Sequence, residues 1–404
     1  MLSVKTETDL TLLNEEQLNR SRQINLTLLF SGVFIVFINF SSAFTTLPLY
    51  VLKLGGNEFQ SGLQNTIFFL SAILLRTYFG PLADTKGRKI PLIIGVFVFA
   101  TAPLLFWLSS NVWLLILARI YHAIGLAAFF SSSSSLVADL APPNKTGLFI
   151  SSYRILMSLS LLVGPAGTLI IIDRYGYSTW FLMSFLLGLL GILPIAFLKT
   201  PLLSVREKIS SWARLKTVFL DRRLWTIFRG INLAGVCIGA VLTFVVIYIS
   251  RFTPVENPGI YLSCYAFGGI SANLINGRLS DRFGRRTVFW PAVILMGLGI
   301  MSISFIPQWP QFLILSGMLT GIGTASTVST GFAWIIDLVE EDLRATSLAF
   351  IESNIDICIA LGSFIFGITS GWIGLSASFA ALGVLPLAVG LVSLITKSSL
   401  WNGF

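Results

Sequence analysis

The sequence has little that titrates. Asp, Glu, Lys and Arg make up 11% of its 404 residues, where a soluble globular chain carries about a quarter. There is one histidine, His122, and three cysteines, Cys237, Cys264 and Cys358, each inside an apolar run. So few exclude a disulfide framework, a Cys/His metal site and a haem attachment signature, and with them membrane enzymes built on histidine clusters. A Gly-rich phosphate loop is also missing, so no nucleotide-driven pump is expected. Residues 1 to 25 are polar and lack the basic start and immediate apolar stretch of a secretory signal. What is plentiful is apolar surface: 55% of residues are hydrophobic and 13% aromatic, with a mean hydropathy of +0.84. A soluble core stops growing at roughly 250 to 300 residues behind a charged rind. This chain has no such rind, so lipid is its solvent.

Apolar runs long enough to span a bilayer recur with short polar breaks. Six lie at about 26–49, 59–82, 89–109, 112–136, 147–171 and 177–198, and six more at about 224–249, 258–279, 288–307, 311–336, 345–370 and 374–396. The expected organisation is a polar tail (1–25), a six-helix half (26–198), a basic linker (199–223), a second six-helix half (224–396) and a short tail (397–404). The net charge of +9 would suggest nucleic acid in a soluble protein, so the placement of the basic residues decides its meaning. Of those in polar breaks, only Lys53, Arg174 and Arg251 fall on the side away from the tails. The positive-inside rule therefore makes both termini cytoplasmic, and the charge speaks for lipid headgroups and not for nucleic acid.

The two halves are copies. Gly80-Pro-Leu-Ala-Asp-Thr-Lys-Gly-Arg-Lys89 returns 197 residues later as Gly277-Arg-Leu-Ser-Asp-Arg-Phe-Gly-Arg-Arg286. A register of 198 pairs Gly125 with Gly323, Asp139 with Asp337 and Gly164 with Gly362. Because the offset spans six crossings, an even number, both halves enter the membrane in the same direction. The expected fold class is an all-α membrane protein of twelve transmembrane helices, arranged as two parallel six-helix repeats around a central cavity.

The segment from Gly80 to Lys89, between crossings two and three, resembles the signature loop of the major facilitator superfamily, and its second-half copy resembles that family's degenerate repeat. The resemblance covers about 26–396 in topology. It implies alternating access between the halves, with Asp84 docking near the start of crossing eleven and Arg88 in the same network. Asp281 and Arg285 would form a weaker second latch. Gly80 and Gly87 permit close helix approach and a tight turn.

Among the 18 acidic residues only Glu352 and Asp356 lie inside an apolar run, and intramembrane charge is expensive enough to be functional by default. Spaced four apart they share one face of crossing eleven, roughly 10 and 16 Å from its cytoplasmic end. They are the candidates for proton coupling. In the 198 register Glu352 corresponds to Arg154, which places a base at matching depth on the opposite wall. Arg154, Arg119, Glu352 and Asn39 are the candidate substrate-cavity residues. Arg119, in Arg119-Ile-Tyr-His-Ala-Ile-Gly-Leu-Ala128, resembles the family's arginine motif on crossing four, although Ala123 and His122 depart from it. His122 itself is read as a satisfied core residue. Arg76 and Arg229 lie near cytoplasmic ends, so snorkelling to the interface is expected. On crossing five, Gly164, Pro165 and Gly167 resemble the Gly-Pro motif of the family's antiporters, with roles in packing and bending.

These residues point to a proton-coupled secondary transporter, most like the drug and metabolite antiporters, that exports small amphiphilic molecules. It would be no enzyme, need no metal or cofactor beyond an ion gradient, and act as a monomer in the plasma (inner) membrane. Its partners would be the substrate, protons and the bilayer. The alternatives are uptake of a sugar or organic acid by proton symport, which Arg119 and Arg154 would suit, and a non-transporting receptor or scaffold.

Overall fold

The computed structural model describes residues 7–142, 145–199, 220–340 and 343–396, and no strand occurs among them. The first helices are α1 (Glu7–Lys53), α2 (Glu58–Lys86), α3 (Lys89–Leu108) and α4 (Val112–Leu140). A single helix, Thr146–Ala196, follows. Gly176 breaks it with φ 82 and ψ 172, a conformation that side chains other than glycine resist. Its arms, 146–175 and 177–196, are named α5 and α6. The second half holds α7 (Arg222–Phe252), α8 (Ile260–Phe283), α9 (Arg285–Ile303), α10 (Phe312–Leu338), α11 (Arg344–Ile373) and α12 (Leu375–Ile395).

Ten of the assigned helices are long and apolar enough to cross a membrane, the bent Thr146–Ala196 helix counting once. The exception is α8. Its 24 residues reach about 36 Å at 1.5 Å each, but its second half carries Asn273, Asn276, Arg278, Asp281 and Arg282. The break between crossings five and six is thus a kink and not a loop. At the other boundary, α1 starts at Glu7, well before its apolar run. The linker residues 200–219 and the tail 397–404 lie outside the described residues.

Local signals fix the ends. Asn57 accepts from the Gln60 amide while the Gln60 side chain accepts from the Asn57 amide, which closes a capping box at α2. Asn111 accepts from the Leu114 amide at the start of α4. In the two copies of the repeated loop, Gly87 and Gly284 take φ values of 97 and 89, so each turn between α2 and α3, or α8 and α9, uses a glycine where a side chain would strain the backbone.

Lipid gives no hydrophobic push between helices, so close backbone approach through small residues holds each half together. A Cβ on Gly95 of α3 would meet the Phe129 amide nitrogen of α4 at 2.6 Å, and one on Gly188 of α6 would meet Ala100 Cα of α3 at 2.4 Å. The second half repeats the device: Gly299 of α9 faces the Thr320 nitrogen of α10 at 2.4 Å, and Gly323 of α10 faces the Met296 nitrogen of α9 at 2.3 Å.

The halves meet along α2 with α11 and α5 with α8. This seam is tight at the end away from the repeated loops. A Cβ on Gly62 would lie 2.4 Å from the Ser363 carbonyl, and one on Gly259 would lie 2.9 Å from Ala166 Cα. Asn257 donates to the Ala166 carbonyl (3.0 Å) and Ser263 to the Leu162 carbonyl (2.5 Å), both across the seam. Arg251 of α7 pairs there with Glu58 of α2. At the end carrying the basic loops, Cβ atoms on Gly80 and Gly277 would meet nothing within 4 Å. The seam is thus closed at the end away from the basic loops.

Candidate functional site

The face of α11 that carries Glu352 and Asp356 looks across the seam. Arg154 of α5 places Nη2 3.3 Å from Glu352 Oε1, and its guanidinium stands 5.0 Å from the centre of the Phe332 ring on α10. One turn deeper, Arg76 of α2 pairs with Asp356. Arg76 therefore does not snorkel to the interface; a carboxylate from the other half takes its charge. The outer pair is wet, with side chains 44% and 56% exposed, so its own strength is at most about 1 kcal/mol. The inner pair is drier, at 22% and 15%. Removing one partner of such a pair strands the other charge, which costs more than the pair contributes. A proton on either carboxylate cancels its attraction to an arginine of the opposite half. The two pairs thus join the halves across the seam.

Beyond these pairs, toward the closed end, Arg119 of α4 is buried without a carboxylate among the described residues. Its Nη1 lies 2.8 Å from His122 Nδ1, its Nη2 donates to Asn65 Oδ1 at 3.1 Å, and its guanidinium lies 3.8 Å from the Phe68 ring centre. Arginine has only hydrogens to give, so His122 Nδ1 is the acceptor and carries no proton. His122 is packed among Phe40, Phe68, Phe99 and Phe106. The Nε of Arg119 and the Oε1 of Gln64 are buried with no partner among the described residues.

Asn65 carries this cluster across the seam. Its Nδ2 donates to Thr243 Oγ1 of α7 at 3.0 Å and to Ser363 Oγ of α11 at 2.9 Å. Both hydroxyls give their own hydrogens to the Gly239 carbonyl, which leaves them as acceptors for the carboxamide. Every hydrogen-bonding atom of the Asn65 side chain is therefore used, one within its half and two across the seam.

Asn39 stands elsewhere. Its Nδ2 donates to the Phe99 and Ser184 carbonyls at 3.2 and 2.9 Å, and its Oδ1 accepts from Ser184 Oγ at 3.1 Å. That set ties α1 to α3 and α6 inside the first half and leaves no polar atom for a solute. The Gly-Pro segment sits at two contacts. A Cβ on Gly164 would meet Ser41 Oγ of α1 at 2.5 Å, and the Pro165–Ala166 backbone abuts Gly259 of α8; a Cβ on Gly167 would meet nothing within 4 Å.

At the basic face the two loop arginines behave alike. Arg88 Nε lies 3.4 Å from Asp139 Oδ2 at the end of α4, and Arg285 Nε lies 2.8 Å from Asp337 Oδ2 at the end of α10. Arg285 also pairs with Asp281 at 2.5 Å and donates to Ser280 at 2.6 Å. The side chain of Asp84 lies outside the described residues. Asp139 and Asp337 received no role in the sequence reading, although the 198 register had already matched them. Arg76 and Asn65 carried no such mark: one is an arginine near a helix end, the other an ordinary amide in an apolar run.

The sequence model described as Major Facilitator Superfamily matches residues 29–255 and again 253–399. The chain belongs to the major facilitator superfamily. Its relatives include the multidrug resistance protein MdtG of Salmonella paratyphi A (strain ATCC 9150 / SARB42), 25% identical over 391 residues that cover 94% of this chain and 95% of the relative. MdtG of Enterobacter lignolyticus (strain SCF1) is 27% identical over 384 residues, or 90% of each chain. Among solved structures the nucleoside transporter NupG superposes with a TM-score of 0.75 at 14% identity, covering 92% of this chain and 98% of NupG. A bacterial homolog of the human lysosomal transporter Spinster, inward-facing and occupied, gives 0.72 at 16%, covering 91% and 96%. At these identities the structural likeness shows the fold; it is as a member of the superfamily that the chain is a multi-pass membrane transporter and no enzyme.

Proposed function

We propose that the chain exports small amphiphilic organic molecules by proton-coupled alternating access, with Glu352 and Asp356 as the proton-carrying groups. The observation that supports this most directly is the double joint on α11: two carboxylates, each held by an arginine of the opposite half. Loading a proton would loosen the seam, and releasing it would restore the pairs, so proton movement and the exchange between arrangements become linked. Arg119 and Arg154 line the route that a solute takes. Arg88 with Asp139, Arg285 with Asp281 and Asp337, and Asp84 brace the basic face. Export is favoured because the relatives named above are called multidrug resistance proteins. The arrangement sits as a monomer in the plasma membrane with both termini cytoplasmic, driven by a proton gradient with no further cofactor.

The test uses inverted vesicles containing wild type or the Glu352→Gln, Asp356→Asn double variant, energised to an acidic interior and challenged with a panel of amphiphilic cations and neutral drugs. Wild type should dissipate the pH gradient on addition of substrate, and the double variant should not. Equal dissipation by both removes the carboxylates from the coupling role.

A further inference from the structure

Between α7 and α12, in the leaflet next to the basic face, lies an open groove of about 510 Å³. Arg229, Asn232 and Ser393 supply its polar atoms, and Leu233, Val236 and Val389 are among its apolar walls. The sequence of α7 builds one side of it. Arg222, Trp225, Arg229, Asn232 or Leu233, and Val236 follow at helical spacing on a single face. That face carries guanidinium and indole groups over its first two turns and turns aliphatic at Leu233 and Val236, as a helix entering a bilayer does. Across the groove, Leu391, Val392 and Ile395 of α12 keep 50%, 58% and 79% of their surface, so the groove opens onto lipid.

The chemistry of this groove is one-sided. Of the arginines within spanning runs, Arg76 and Arg154 hold carboxylates, and Arg119 holds an amide, an imidazole and a phenyl face. The single polar partner of Arg229 among the described residues is Thr226 Oγ1, at 3.4 Å. Asn232 accepts through Oδ1 from Asn354 of α11, and its NH2 group has no acceptor among the described residues. Arg286 extends the basic edge by donating to the Ser393 and Thr396 carbonyls at 2.9 and 2.7 Å. The groove thus offers unmatched donors, one full positive charge and no acidic residue above apolar walls that face lipid. The complement is an amphiphile with an anionic head of several acceptor oxygens.

We propose that the α7–α12 groove binds an anionic glycerophospholipid, its phosphate held by Arg229 and Asn232 and an acyl chain lying along Leu233, Val236 and Val389. Asn232 also touches Asn354, which stands between Glu352 and Asp356 on α11. A bound headgroup is therefore one side chain removed from the helix that carries both carboxylates.

The test is native mass spectrometry of the full chain in detergent, titrated with phosphatidylglycerol, with phosphatidylcholine of the same acyl chains, and with glycerol phosphate. Wild type should retain phosphatidylglycerol at least about tenfold more tightly than phosphatidylcholine. Arg229→Ala should lose about tenfold in that affinity, the size of one charge-assisted contact. Arg222→Ala, on the same helix face but outside the groove, should change it little. Ala388→Trp fills the groove without altering charge and should lower retention as Arg229→Ala does; it decides the matter should Arg229→Ala fail to purify. Equal retention of the two lipids overturns the proposal, as does an equal loss in Arg222→Ala and Arg229→Ala, which would mean diffuse attraction to a basic surface. Glycerol phosphate binding as tightly as the lipid also overturns it, in favour of a soluble anion.

Discussion

Replacing Asn65 with leucine keeps the volume of the side chain and removes its three hydrogen bonds, which act on different equilibria. The bond from Arg119 lies within the first half and is present however the halves are arranged. Losing it leaves one guanidinium hydrogen of a buried charge unanswered, at a cost of about 1–3 kcal/mol to folding. The bonds to Thr243 and Ser363 exist only while the seam is closed at this end. Each is a neutral hydrogen bond with a net contribution of about 1 kcal/mol, and neither hydroxyl is orphaned, because both still donate to the Gly239 carbonyl. The variant should therefore move the balance toward the arrangement open at this end by about 2 kcal/mol, or roughly thirtyfold. A wild type with about 1% of molecules open there would rise to about a quarter. Spin labels on exposed loop positions, Ser110 in one half and Gln308 in the other, measure this as a longer-distance population by pulsed electron resonance, with the native cysteines replaced by alanine. A ratio of populations that moves by less than about threefold would refute the assignment of these bonds to the seam.

Three further results test the packing, the basic face and a cap. Gly321→Ala should lower the unfolding midpoint, because the new Cβ would lie 1.9 Å from the Tyr265 carbonyl between α8 and α10 and overpacking costs about 1–3 kcal/mol. Gly80→Leu, where a Cβ meets nothing within 4 Å, should leave that midpoint unchanged in detergent but slow substrate-driven pH-gradient dissipation if α2 must approach a neighbour when the basic face closes. Asp221 caps α7 by accepting from the Arg223 amide at 2.9 Å, and its hydrogen bonds from the Arg223 side chain hold its carboxyl below the usual range. A depressed folded-state value contributes stability above the unfolded value, near 4, and loses it as pH falls through the folded one. Asp221→Ala should thus cost about 1 kcal/mol at neutral pH and progressively less in acid, read from denaturation midpoints across pH.

The sequence by itself determined the solvent, the all-helical plan, the duplication and the family, because these rest on properties that are local or periodic. Twenty apolar residues must span lipid wherever they sit, and a repeated Gly-x-Leu-x-Asp-x-x-Gly-Arg marks the same loop twice without reference to any contact. It also singled out Glu352 and Asp356, since a carboxylate inside an apolar run is conspicuous without knowing its neighbours. The kink at Gly176 was less legible: Asp173, Arg174 and Tyr175 read as a loop, and only the backbone shows them in the last turn of α5, with the break at Gly176 alone.

Tertiary structure decided who faces whom. Arg76 lies 280 residues before Asp356, and its position near a helix end gave no hint of that partner. Asn39 and Asn65 are both amides in apolar runs. One is spent on packing inside a half and the other joins the halves, a distinction set by the rotation of α1 and α2 about their own axes. Periodicity shows that a helix has faces; only the packing of small residues, which sets how closely each pair of helices approaches, chooses the face that meets the other half.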